Sequence, residues 1–162
     1  MRHKFAAIAF AAVLLMPALA KAQSWDEFRP KGIGFRIEMP GKPKIDTTKT
    51  SSGNLTHRAL VTVEKTVFMV NYADKADMNV NADILLDAVV KGQAEDKKTL
   101  GEKKDMIGGL TARRIKLEDS DKDQYEIRVV IIKNRLVQAL YLGPIGDPLG
   151  KRFLDSLNVT DD

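Results

Sequence analysis

The chain has 162 residues, with 26 Lys and Arg against 22 Asp and Glu, a formal net charge of +4, no Cys and one Trp. That length suits a single domain, and 44% hydrophobic and 30% charged residues argue against both a disordered chain and an integral membrane protein. Without Cys there is no disulfide, Cys-ligated zinc, iron–sulfur cluster or thiol chemistry.

The N-terminus reads Met1-Arg2-His3-Lys4, then an apolar run from Phe5 to Met16, then Pro17-Ala18-Leu19-Ala20-Lys21-Ala22. A basic start, a short apolar core and a small-x-small ending are the three parts of a secretory signal peptide. Residues 1–22 are therefore expected to be an export signal cleaved between Ala22 and Gln23, leaving 23–162 as one domain. The apolar run is shorter than the roughly 20 residues of a spanning helix. A lipoprotein signal would need Cys at the cleavage site. The signal holds three of the 26 basic residues and no acid, so the chain from Gln23 has 23 basic and 22 acidic residues, a net charge of +1. Non-specific nucleic-acid binding loses its support. No second long apolar run follows, and no transmembrane segment is expected in the exported chain.

Strand signals then dominate. Gly34–Met39 alternates Phe35, Ile37 and Met39 on one face and ends at Pro40-Gly41. Lys42–Gly53 is polar and reads as a loop or an irregular edge strand. Leu55–Val63 places Leu55, Ala59, Val61 and Val63 on one face, and Glu64-Lys65 turns the chain. Val67–Tyr72 is apolar on both faces, which suits a central strand covered on both sides. The period changes from Asn81 to about Lys98, where Ile84, Leu85, Ala88, Val89 and Gly92 form a stripe at helical spacing. Asn81 can cap that helix, with Asp83 at its positive end and Lys97-Lys98 at its negative end. Lys103–Ile107, Leu110–Leu117, Tyr125–Ile132 and Arg135–Leu142 read as strands. They are joined by a turn at Gly108-Gly109, a charged turn over Glu118–Asp123 and a tight turn at Lys133-Asn134. The chain closes with a helix capped by Asp147, with Pro148 at its first position and Leu149, Phe153, Leu154 and Leu157 as its buried stripe. The expected class is α+β: an antiparallel sheet of about six to seven strands with helices on both faces, an α/β/α sandwich.

Four segments in this order carry a resemblance: Gly34–Pro43, Gly108–Arg113, Lys133–Leu140 and Lys151–Leu157. Together they resemble small exported bacterial proteins of the PsbP-like fold, shared by the photosystem II subunit PsbP and by a nuclear-import factor that binds the GTPase Ran. The resemblance implies the sandwich fold. It implies no catalytic residues, since members of this fold mostly bind partners or have no assigned activity.

Several patterns in the chain resemble known sites. Asp119, Asp121 and Asp123 match the opening of a calcium loop, but the turn glycine is replaced by Gln124 and the closing glutamate by Val130. A weak calcium-responsive structural module on these three acids is one alternative reading. Gly143–Arg152 fails as a phosphate loop, because only three residues separate Gly146 from Gly150 and Asp147 would repel the phosphate. His57 is the only His after residue 22, and a hydrolase using His57 with distant acidic residues is the second alternative. No nucleophile elbow accompanies it. Lys97, Lys98, Lys103 and Lys104 form a basic cluster diluted by Asp96, Glu102 and Asp105. Trp25 and Phe28 are expected to fold back on the sheet edge. Asn54-Leu55-Thr56 and Asn158-Val159-Thr160 match the glycosylation pattern, which the bacterial character of the signal makes a chance match. No residue is assigned a catalytic, cofactor or metal role. The leading expectation is a non-catalytic periplasmic or secreted domain that binds a protein or small ligand of the cell envelope at a sheet edge, a loop or a helix–sheet groove.

Overall fold

The computed structural model describes residues 24–51, 53–73 and 81–161. The expected export signal and its cleavage position lie outside these residues. The elements are β1 (Asp26–Phe28), β2 (Phe35–Met39), β3 (Lys44–Lys49), β4 (Leu55–Val63), β5 (Thr66–Ala73), α1 (Ala82–Ala94), β6 (Lys98–Ile107), β7 (Leu110–Glu118), β8 (Gln124–Ile132), β9 (Arg135–Leu142), α2 (Pro148–Ser156) and β10 (Asn158–Val159).

Seven strands form one antiparallel sheet in the order β3-β4-β5-β9-β8-β7-β6. Its hairpins follow from local chemistry. Glu64 turns β4 into β5 at φ 54°, and Lys133 and Asn134 turn β8 into β9 at φ 48° and 61°. Two successive positive φ values match the right-handed twist of the flanking strands. The polar stretch after Pro43 is a regular edge strand, with six residues of β3 paired to β4. The chain is α+β, with α1 on one face of this sheet and α2 on the other.

Three expectations need correction. The strand Phe35–Met39 is not part of the main sheet. It is the middle of a second, three-stranded sheet, β1-β2-β10. Its buried Phe35, Ile37 and Met39 join Phe68, Val70, Tyr141, Phe153 and Leu154 in one core. The alternation showed that one face is buried, and said nothing about which sheet receives it.

The stripe on α1 also differs. Ile84 is 65% exposed and Ala88 and Gly92 are exposed, while Leu86 and Val90 are buried against Ile115, Leu117, Ile127 and Val129. The cause is polar. Arg113 of β7 is only 1% exposed, and it donates from Nη2 to Asp83 (2.7 Å) and from Nε to Asp87 (2.8 Å). Seating two aspartates of α1 over a buried cation turns Ile84 toward solvent. The helix also ends at Ala94, and Lys98 opens β6.

On α2, Phe153, Leu154 and Leu157 are buried as expected, but Leu149 is 38% exposed. Gly150 takes the inner position, where an added Cβ would stand 2.6 Å from the Tyr141 ring. Among the described residues no helix is long and apolar enough to cross a membrane.

Candidate functional site

On the α2 side of the sheet, the residues facing one another across β6, β7 and β8 are Lys103, Arg114 and Arg128. Three cations in cross-strand register repel one another, so the arrangement destabilises the sheet unless anions are interleaved. Arg114 donates from Nε to Glu126 (2.7 Å) and from Nη1 to Asp155 at the end of α2 (2.6 Å). Arg128 donates from Nε to Asp105 (2.8 Å) and from Nη1 to the Leu154 carbonyl (2.7 Å), near the negative end of the α2 dipole. Lys103 is exposed, and its side chain makes no ion pair or hydrogen bond among the described residues.

α2 stops short of β6 and β7, and the uncovered part forms an open groove of about 560 Å³, within the usual range for ligand sites. Its floor is Gly101 and Lys103 of β6, Arg114 and Lys116 of β7 and Glu126 of β8, and its wall is Lys151 and Asp155 of α2. Lys151 pairs with Asp155, and Lys116 Nζ stands 4.0 Å from Glu126. Glu102 at the rim pairs with Ile115 and so belongs to the opposite, α1, face. Four cations (Lys103, Arg114, Lys116 and Lys151) thus share the groove with Glu126 and Asp155 inside it and Glu102 at its rim, a net charge of +1. Burial opposes the charge on both Asp155 and Arg114. Mutual hydrogen bonding, with Lys151 on one side and Glu126 on the other, outweighs it, so Asp155 stays below the usual carboxylate range and Arg114 is more firmly protonated. The groove can hold an anionic group at its lysines.

Of the residues in the sequence patterns above, Glu102, Lys103, Gly146 and Lys151 line the groove, and the others lie elsewhere. His57 stacks on Tyr72 at 4.9 Å, with Nδ1 2.9 Å from Thr47 Oγ1. Those contacts place the ring at the end of an aromatic cluster with Phe28 and Phe35. In the charged turn, Asp119 is engaged by the chain itself. Asp119 Oδ1 accepts the backbone N–H groups of Asp121 (2.9 Å) and Asp123 (3.0 Å), and Oδ2 accepts the Tyr125 hydroxyl (2.7 Å). Asp119 therefore closes the turn. The Tyr125 bond, helped by those backbone donors, holds its carboxyl below the usual range, and the same bond pushes Tyr125 up to about 12. Among the described residues no three His, Cys, Asp or Glu side chains converge on a metal position. Asp147 caps α2 through Leu149 N and accepts the Tyr141 hydroxyl, so the preceding loop is a turn and cap. Trp25 folds back edge-on to Phe68, with the Arg152 guanidinium 4.3 Å from its ring centroid. The basic cluster is divided: Lys103 faces the groove, Lys104 faces the α1 side, and Lys97 lies over Tyr125.

Sequence reasoning missed Arg114, Lys116, Glu126 and Asp155. A signal was present: Arg114 and Lys116 share a face of β7 with buried Ala112, and Glu126 and Arg128 share a face of β8 with Val130 and Ile132. A face that changes from apolar to charged partway along a strand marks the border of a core.

No protein-family model matches the chain, and no curated protein matches it. Among solved structures it is similar to the solution structure of cyanobacterial PsbP (CyanoP) from Synechocystis sp. PCC 6803. That match has a TM-score of 0.52 and 11% identity, and covers 90% of this chain and 98% of that one. At that identity the likeness speaks for architecture alone. Seven antiparallel strands between two helices, closed by a small second sheet, are a PsbP-like fold.

Proposed function

We propose that this protein is an exported, non-catalytic binding domain whose site is the groove between α2 and the β6–β8 face, and that its ligand presents an anionic group to Lys103, Lys116 and Lys151. The observation that carries the reading is the in-register row Lys103, Arg114 and Arg128 with its unpaired outermost member. Stability alone does not favour cations side by side on adjacent strands. A ligand carboxylate or phosphate supplies the missing counter-charge. Export rests on the basic, apolar and small-residue segments of residues 1–22.

The test is calorimetric titration of the exported protein with inorganic phosphate and with tetraglutamate at low and physiological salt. Binding that weakens with salt, and that Lys103→Glu with Lys116→Glu abolishes without shifting the melting temperature by more than a few degrees, supports the reading. Absence of binding by both probes, or binding indifferent to those substitutions, refutes it. N-terminal sequencing of the protein recovered from the periplasm should begin at Gln23, and a chain retained in the cytoplasm beginning at Met1 sinks the export reading.

A further inference from the structure

We infer that the anionic group belongs to an extended acidic segment of a partner protein, which adds to the free edge of β6 as a further strand of the main sheet. The inference rests on the groove reading above and specifies its occupant. β6 is the last strand of the seven-stranded sheet, and at ten residues it is the longest. Its only irregularity lies between Thr99 and Gly101, and from Gly101 to Ile107 it pairs with β7 residue by residue. Up to Asp105 that edge presents a row of backbone N–H and C=O groups with no partner strand among the described residues, while at Met106 the N–H donates to Asp105 Oδ1 (2.9 Å) and the carbonyl accepts from Arg128 Nη2 (3.3 Å). Natural sheets rarely leave such an edge without a device that restricts what pairs with it.

The groove opens on this edge. A strand laid about 4.8 Å outside β6 has alternate side chains on the groove face, one of them at the next place in the row Lys103, Arg114 and Arg128. A carboxylate there faces Lys103 directly, and opposite charges in that relation stabilise strand pairing. The following residue of the segment faces the other side of the sheet, where it meets Lys104. Two consecutive acids therefore match two consecutive lysines. Next to that pair β6 carries the exposed Glu102 on one side and Asp105, paired with Arg128, on the other. Beyond them lie Leu100, 40% exposed, and Met106, 58% exposed, so the edge suits uncharged residues beside the acids and apolar residues further out.

A second copy of this chain is the competing occupant. β6 laid antiparallel on β6 with its centre at Lys103, or between Lys103 and Lys104, sets lysine opposite lysine, whereas centred between Glu102 and Lys103, or between Lys104 and Asp105, it sets a carboxylate opposite one lysine of each copy. The other edge, β3, is six residues long and no part of it enters the groove lining. An acidic strand meets both lysines at once, whereas each self-paired register meets only one per copy, and a dimer in sedimentation equilibrium that the acidic peptide fails to disrupt would overturn the acidic occupant in favour of a second copy.

The experiment uses an eight-residue peptide with a central Glu-Glu pair, Ser on either side of it and Leu beyond, and two twins N-methylated at alternate residues of opposite parity. In strand addition only every second N–H points at β6, so one twin should bind at least about tenfold more weakly and the other as well as the parent. Lys103→Glu should lose the Glu-Glu peptide and gain a Lys-Lys counterpart. Amides on the outer side of β6 should exchange more slowly when the peptide is bound. Equal binding by both twins, with β6 exchange unchanged, overturns strand addition while leaving the groove as an anion site. Failure of the peptide, of tetraglutamate and of phosphate alike overturns the groove reading as well.

Discussion

Arg114 is the member of the charged network whose removal is most informative. Its side chain is 12% exposed and that of Glu126 is 5% exposed. Arg114→Ala leaves the Glu126 carboxylate buried with only Lys116, at 4.0 Å, as a counter-ion. Breaking one side of a buried ion pair costs about 3–5 kcal/mol. Relief of the repulsion between Arg114 and its cross-strand neighbours Lys103 and Arg128 returns a fraction of that. The expected loss is therefore near the lower limit, about 3 kcal/mol, which for a domain of this size lowers the melting temperature by about 10 °C. Asp155 keeps Lys151, so Glu126 is the stranded group. The double variant Arg114→Met with Glu126→Leu removes both charges and should return to within about 1 kcal/mol of the parent. Urea unfolding followed by circular dichroism measures the whole cycle. A single variant within about 1 kcal/mol of the parent, or a double variant as unstable as the single, would show that the buried carboxylate is not the stranded charge described above. Recovery in the double variant would mean that the network does not exist for stability, and would direct attention to what its charge binds.

Leu86→Ala should destabilise the domain by about 3 kcal/mol, because Leu86 is fully buried under α1, whereas Ile84→Ala, at a position 65% exposed, should stay within about 0.5 kcal/mol. Equal losses in urea melts would mean that α1 is rotated from the seating described. Asp119 and Asp155 are both held below their ordinary value of 3.8, so each contributes stability that is present above about pH 4 and lost as pH falls through its lower folded value. Melting temperature against pH should therefore fall below pH 4, with a shallower fall in Asp155→Asn; identical slopes would exclude Asp155 as a contributor. Gly150→Ala should cost about 1–3 kcal/mol in thermal unfolding, because its Cβ would stand 2.6 Å from a carbon of the buried Tyr141 ring. An unchanged melt would mean that α2 can lift from the sheet.

The sheet was legible because its signals are short-range. Glu64-Lys65, Gly108-Gly109 and Lys133-Asn134 each turn the chain within two residues, and the strands between them alternate. The capped start of α2 was legible for the same reason, since Asp147 and Pro148 act on adjacent backbone. What failed depends on distance along the chain. Counting apolar residues could not seat α1, because its orientation is set by Arg113, 26 residues beyond Asp87. The alternation of Phe35, Ile37 and Met39 could not reveal a second sheet, because β10 reaches β2 from the far end of the chain. The groove was hidden for the same reason. Lys103, Lys116 and Lys151 lie in three different elements, and the local basic cluster that drew attention contributes only one of them.

The groove and the core are two ends of one surface. Along β8 the α2-facing side chains run Glu126, Arg128, Val130 and Ile132, and along β7 they run Lys116, Arg114 and Ala112. The apolar end is covered by β2 and by Phe153 and Leu154 of α2. At the charged end the cover stops, and the last turn of α2 supplies Asp155 to Arg114 and the Leu154 carbonyl to Arg128. The helix that closes the core therefore also sets the width of the groove, through polar bonds at its C-terminal end. Its place on the sheet is fixed by Gly150 against Tyr141 and by Ser156, whose hydroxyl accepts the Glu38 N–H at 2.8 Å. A substitution that lifts α2 should then weaken anion binding without touching a lysine, as Gly150→Ala would if its loss of stability and its loss of tetraglutamate affinity appear together.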